Sequence, residues 1–306
     1  MKKFKIIIAI ILVSILFLLI FIGDYFYTIV IDSSTDKSVI TCQEKKEKED
    51  HSKETKWFLN NKKELKMTSV TGFNLSGYQF LNDRSKKWII VIHGYGSSAR
   101  DMAYYIKKFY DLGYNVFAPD LIGFGKSEGN FISMGGYDSK DMRKWIDVLN
   151  EMYDKPDIAL FGISMGAATV MNTIDENLTP NVKVFIEDSG YIDAKEELRY
   201  QLKKLYNLPY FPIIPLASIT TRIKAGYYIG EINAENALID NKLPALILHG
   251  DKDGFVPVDN AKKAYDLLLS NDKHIYISKD CKHVEGAKKD AVNYWASVNK
   301  FLTKYF

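Results

Sequence analysis

Cysteine is nearly absent: Cys42 and Cys281 are the only two among 306 residues. Cys42 sits in a polar stretch near the N-terminus with nothing to hold it, and Cys281 lies deep in the C-terminal part, so a disulfide between them is not expected. No CxxC or Cys/His spacing is present, so no zinc site is expected, and no other metal or cofactor is implied. Such scarcity fits a reducing compartment or a bacterial surface equally well. A long basic stripe is also missing. Lys and Arg number 41 against 38 Asp and Glu, a formal charge of +3, so nucleic acid is not an expected partner. There is no internal repeat and no Pro-rich or Gly/Ser-rich tract. What remains is a globular balance, 47% apolar and 26% charged. A body of about 250 residues buries roughly 70–75% of its unfolded surface and needs no disulfide staples.

The one long hydrophobic run lies at the N-terminus. Ile6 to Ile22 is apolar apart from Ser14 and follows Lys2, Lys3 and Lys5. With Phe4 and Gly23 it reaches the ~20 residues that cross a bilayer core. Gly-Asp-Tyr-Phe-Tyr follows, with no Ala-x-Ala-like cleavage site and no nearby cysteine. A run apolar on every face has no core to enter there. We therefore expect a transmembrane signal-anchor over residues 1–24, with the lipid bilayer as partner of residues 6–22. Lysines before the run and Asp24, Asp32 and Asp36 after it orient the N-terminus to the cytoplasm. The body would then be extracytoplasmic, at a bacterial cell surface. Residues 43–56 read QEKKEKEDHSKETK, a solvated charge run, and predict a spacer over 25–56 in which His51 is one more solvated side chain.

From residue 57 short apolar runs alternate with amphipathic stretches. Residues 65–70 and 77–81 predict early strands; 88–92, 114–118, 158–161, 182–186 and 245–248 predict buried ones, and 274–277 a weaker last one. Helices are predicted near 99–111, 134–152, 165–176, 258–270 and 286–304. This alternation predicts an α/β domain over 57–306, with a mostly parallel central sheet and helices on both faces. Ligands then bind beyond the carboxyl ends of the strands. Residues 191–243 break the alternation with aromatic and Pro-containing sequence, which reads as a helical cap insertion over those ends.

Four motifs fall at strand ends. Gly162-Ile-Ser-Met-Gly166 lies between a predicted strand and a helix, the context of a nucleophile elbow. Gly162 and Gly166 leave room for a sharp turn that projects Ser164, although serine is also an ordinary helix N-cap. His93-Gly-Tyr-Gly96 can bring the Tyr95 N–H beside that of Met165 as a two-donor oxyanion hole, with His93 a buried residue shaping the turn. His283 is the one histidine in a post-strand loop at the right end of the sheet. His249-Gly-Asp-Lys-Asp-Gly-Phe-Val-Pro257 offers Asp251 and Asp253 as acids.

The last motif resembles the acid loop of the α/β-hydrolase family, G-x-x-D-x-x-V-P, and that resemblance places the acid at Asp253. The order Ser164, Asp253, His283 is the order of that fold. Pro119-Asp-Leu-Ile-Gly-Phe-Gly-Lys-Ser-Glu-Gly129 is similar to the family's loop after the fourth strand, with Ile122 where arginine is usual. Asp188, ending the sixth strand, stands where some members carry the acid. The resemblance covers about 65–304, and the order of anchor, body and cap is similar to poorly characterised bacterial surface hydrolases. It implies an α/β-hydrolase fold and a serine hydrolase that cleaves a small-molecule carboxylic ester through an acyl-enzyme on Ser164. The same machinery serves a peptidase, amidase or acyltransferase, and a non-catalytic membrane-anchored binding module is the alternative outside enzymes.

Overall fold

The computed structural model describes residues 2–37, 40, 52–83, 85–174 and 178–306. Among the described residues eight strands form one sheet in the order β1-β2-β4-β3-β5-β6-β7-β8: β1 (Lys63–Thr68), β2 (Asn74–Phe80), β3 (Trp88–Ile92), β4 (Asn115–Pro119), β5 (Ile158–Ile163), β6 (Val182–Asp188), β7 (Ala245–Gly250) and β8 (Lys273–Ser278). β1 and β2 pair antiparallel and β2 joins β4 antiparallel; all other pairings are parallel. Both faces of the sheet are covered. Ile90 and Ile92 with Phe117, Leu160 and Phe185 face one core, while Ile89 and Val91 with Val116, Phe161 and Ile186 face the other. That is why β3 reads as five apolar residues in a row.

The helices are α1 (Lys2–Val30), α2 (Lys53–Asn61), α3 (Ala103–Asp111), α4 (Gly136–Tyr153), α5 (Met165–Thr173), α6 (Ala194–Tyr206), α7 (Ile213–Ala225), α8 (Glu235–Asp240), α9 (Asp259–Leu267), α10 (Gly286–Lys289) and α11 (Ala291–Tyr305). The single C-terminal helix predicted over 286–304 is broken at Asp290, which precedes α11. α6, α7 and α8 form the cap within residues 191–243. It rests on strand-end loops: Tyr191 Oη donates to Met134 O at 2.9 Å and Tyr200 Oη to Gly254 O at 3.2 Å.

α1 is long and apolar enough to cross a membrane, and only 6% of its most apolar stretch is buried against the protein, so it is not a core helix. Its C-terminal end behaves differently. Phe26, Tyr27 and Ile31 are buried in the main core. A Cβ on Gly23 would come within 2.6 Å of Thr220 Oγ1 and 2.9 Å of Leu216 O, so glycine permits close packing of α1 on α7. Beyond the helix, Ile132 N–H donates to Ile31 O at 2.7 Å and Ser33 Oγ donates to Gly129 O at 3.0 Å. The spacer expected over 25–56 is therefore too long at both ends. Residues 25–33 are part of the body, because Phe26, Tyr27 and Ile31 are apolar side chains with a core to enter. Ser52 caps α2, whose Phe58 is buried. His51, Cys42 and the charged run up to residue 51 lie outside the described residues; Cys281 is buried as a free thiol.

Candidate active site

β5 delivers Ser164 to the carboxyl edge of the sheet. Its backbone there is left-handed, φ 53° and ψ −121°, a conformation that costs a non-glycine residue about 1–3 kcal/mol. The neighbours explain how the turn closes. A Cβ at Gly162 would lie 2.2 Å from Gly166 O, and one at Gly166 would lie 2.3 Å from Ile92 O. Gly166→Ala must therefore push apart backbone rather than a side chain. We expect a loss of about 3 kcal/mol or more, a Tm fall on the order of 10 °C, checked by thermal unfolding. Ser164 stands at the N-cap position of α5, yet its side chain makes no capping hydrogen bond.

The hydroxyl faces His283 instead. Ser164 Oγ lies 2.9 Å from His283 Nε2, and His283 Nδ1 lies 2.7 Å from Asp253 Oδ2. A carboxylate only accepts, so Nδ1–H donates to Asp253 and Nε2 is left to accept the serine proton. His283 follows β8 and is followed by Val284 at φ 57°, a strained conformation for a β-branched residue. Its ring packs on Phe255, centroids 5.0 Å apart. The acid loop and the histidine loop touch closely, since a Cβ on Gly250 would come within 2.3 Å of Cys281 O.

Asp253 is held from every side. Oδ1 accepts the N–H groups of Phe255 and Val256 at 2.8 and 2.9 Å. Oδ2 receives His283 and also lies 3.1 Å from His249 Nε2. Burial works to raise the carboxyl, but hydrogen bonds from His249 and His283 outweigh it and hold Asp253 down at about 2. The other candidates do not reach His283. Asp188 accepts Ser189 Oγ at 2.9 Å and Tyr294 Oη at 2.8 Å, and burial pushes its carboxyl up. Asp251 Oδ1 is buried without a partner. Asp188 is committed to α11 through Tyr294, and neither it nor Asp251 is hydrogen-bonded to His283 among the described residues.

Gly94 brings the turn after β3 against Ser164, its Cβ position 3.2 Å from Ser164 Cβ. Neither the Tyr95 nor the Met165 amide has a protein acceptor among the described residues. His93 is fully buried. Nε2 accepts Leu121 N–H at 3.0 Å and Nδ1 donates to Gly94 O at 2.8 Å, and burial lowers its pKa, so it is a neutral brace. Ile122 is buried in the main core.

Two participants were missed in the sequence. The sequence gives His249 no role of its own, yet its four-residue spacing from Asp253 across a tight loop puts it on the same carboxylate. Burial opposes its charged form, but the Asp253 hydrogen bond leads the effects that raise it. Glu187 lies beneath them, its Oε2 accepting Gly190 N–H at 2.9 Å. Burial pushes this carboxyl from 4.5 up to about 8. Between those values the native state holds a proton that the unfolded chain has lost, so stability falls as pH rises through that window. Glu187→Gln mimics the protonated form. It is expected to gain about 1–3 kcal/mol at pH 7 and nothing at pH 4, read from urea unfolding at both pH values.

Comparison with known proteins agrees with this architecture. A hydrolase family model described as "Serine aminopeptidase, S33" matches residues 83–226. The uncharacterized protein YqkD of Bacillus subtilis is 27% identical over 235 residues, 76% of this chain and 77% of that one. A putative alpha/beta hydrolase, L404 of Acanthamoeba polyphaga mimivirus, is 27% identical over 63% of this chain and 65% of its own length. Among solved structures, the Pyrococcus furiosus esterase Pf2001 superposes with a TM-score of 0.66 at 24% identity, covering 80% of this chain and 93% of that one. The esterase domain of a Rhodothermus marinus protein gives 0.58 at 18% identity, covering 80% and 99%. The chain thus has the α/β-hydrolase fold, and over residues 83–226 its sequence matches a hydrolase family model.

Proposed function

We propose that the protein is a serine esterase held to a membrane by α1, cleaving a carboxylic ester through an acyl-enzyme on Ser164. The observation that carries this reading is the unbroken relay from Ser164 Oγ through His283 to Asp253, at 2.9 and 2.7 Å. His283 takes the serine proton as Oγ attacks the ester carbonyl. The Tyr95 and Met165 amides stabilise the oxyanion, about 3 kcal/mol for each donor of this kind. Collapse expels the alcohol, protonated by His283. Water activated by the same imidazole then releases the acid.

An ester fits better than an N-terminal peptide. A mostly apolar cleft under the cap is walled by Phe26, Val30, Leu202, Ala217 and Ile229, with Gln201 and Tyr206 as the side chains that carry polar atoms. An aminopeptidase needs a carboxylate for the substrate's ammonium group. Glu197, hydrogen-bonded to Gln201 Nε2, is buried and raised to about 8, so it is neutral there. Comparing p-nitrophenyl acyl esters with aminoacyl p-nitroanilides tests this. Ester turnover should exceed anilide turnover by more than about 100-fold; the reverse order would make the protein a peptidase.

A further inference from the structure

The anchor helix does more than tether the body. α1 is mostly exposed up to Phe21, with Leu19 half-buried; Ile22 packs on the main core, and Gly23 approaches α7 closely. Phe4 to Gly23 at 1.5 Å per residue spans about 30 Å, the full hydrocarbon core, which leaves no slack between bilayer and protein. α7 packs against α1 at that level. On its outer face it presents Ile219 and Ile223, 51% and 78% exposed and one turn apart. Phe211, in the turn before it, is 73% exposed. Residues 194–226 carry six basic side chains against two acidic ones. Exposed apolar side chains framed by basic ones are the pattern of a helix seated in lipid headgroups.

The cleft sits at the same level. Four of its wall residues, Phe26, Ile29, Val30 and Ile31, belong to α1 or its continuation, three to eight residues and so about 5–12 Å beyond Gly23. Two bridges join the cleft to the reacting centre. Tyr95 Oη donates to Val30 O at 2.7 Å, and Gln201 Nε2 donates to Phe255 O at 2.6 Å, whose ring packs on His283.

We propose that the substrate is an acyl ester resident in the membrane, whose chain passes from the adjoining leaflet between α7 and the end of α1 to reach Ser164. This rests on the esterase reading. The cavity is narrow, about 40 Å³, so a long chain parts α7 from α1 as it enters.

Full-length protein in phosphatidylcholine–phosphatidylglycerol vesicles tests it, with a long-chain glycerol ester dissolved in the bilayer and p-nitrophenyl butyrate in the water. Ile219→Asp with Ile223→Asp is expected to slow the bilayer ester about tenfold or more, with butyrate turnover and fluorophosphonate labelling within about twofold of wild type. Ile219→Leu with Ile223→Leu should keep wild-type rates. Ala217→Trp should shift the preferred acyl length toward shorter chains. The proposal is overturned if wild type cleaves butyrate and ignores the bilayer ester, if the double aspartate variant loses nothing on it, or if Ala217→Trp keeps the wild-type length preference. Absence of both labelling and butyrate turnover sinks the esterase reading itself, and this proposal with it.

Discussion

Ser164→Ala is expected to abolish fluorophosphonate labelling and to lower ester turnover about 10⁵-fold while the fold survives. The size follows from cooperation: Oγ, the imidazole and the carboxylate act as one unit, so removing the nucleophile removes the covalent route. His283→Ala should cost about as much. Asp253→Asn is the sharper variant. Its Oδ1 can still accept the Phe255 and Val256 amides, so the loop keeps its shape. The amide NH₂ then faces His283 Nδ1, drives the imidazole to the wrong tautomer, and should cost about 10⁴-fold in kcat. Asp251→Asn should leave kcat within about threefold, because that side chain does not touch the imidazole. If Asp251→Asn is the damaging one and Asp253→Asn is mild, the assignment of the acid is wrong.

The second large effect concerns α1. A chain beginning at Ser52 is expected to be far less stable than one beginning at Gly23. It loses the burial of Phe26, Tyr27 and Ile31, each contributing about 1.5–3 kcal/mol, so about 5 kcal/mol in all. It also loses the hydrogen bonds that Val30 O and Ile31 O accept from Tyr95 and Ile132, and exposes the apolar cleft. A domain of this kind has only about 5–15 kcal/mol to lose. Urea unfolding and size-exclusion chromatography of the two chains would read this as a lowered midpoint and aggregation. Equal midpoints would mean that α1 merely touches the body.

The strand-end positions of Ser164 and His283 were legible because their signals are local. A strand, a tight turn with small residues two places either side, and a helix are all encoded within about a dozen positions, and alternation of apolar runs sets which end of the sheet they occupy. The run at residues 6–22 was legible for the same reason. The early strands, the cap helices and both covered faces of the sheet follow from periodicity that each segment carries by itself.

What the sequence alone determined, then, was the fold class and the strand-end positions of Ser164 and His283. Contacts between distant segments decided the rest. The resemblance of the acid loop pointed to Asp253, but only the meeting of the loops after β7 and β8 brings its carboxylate within 2.7 Å of His283; the Gly250–Cys281 contact that brings those loops together spans some thirty residues. His249 could not be recognised as a partner of that carboxylate until the loop was folded. The end of α1 read as the start of a solvated spacer because nothing near it in sequence offers a core. Its partners Leu216 and Thr220 lie almost two hundred residues away, and only tertiary packing brings an apolar surface to Phe26, Tyr27 and Ile31.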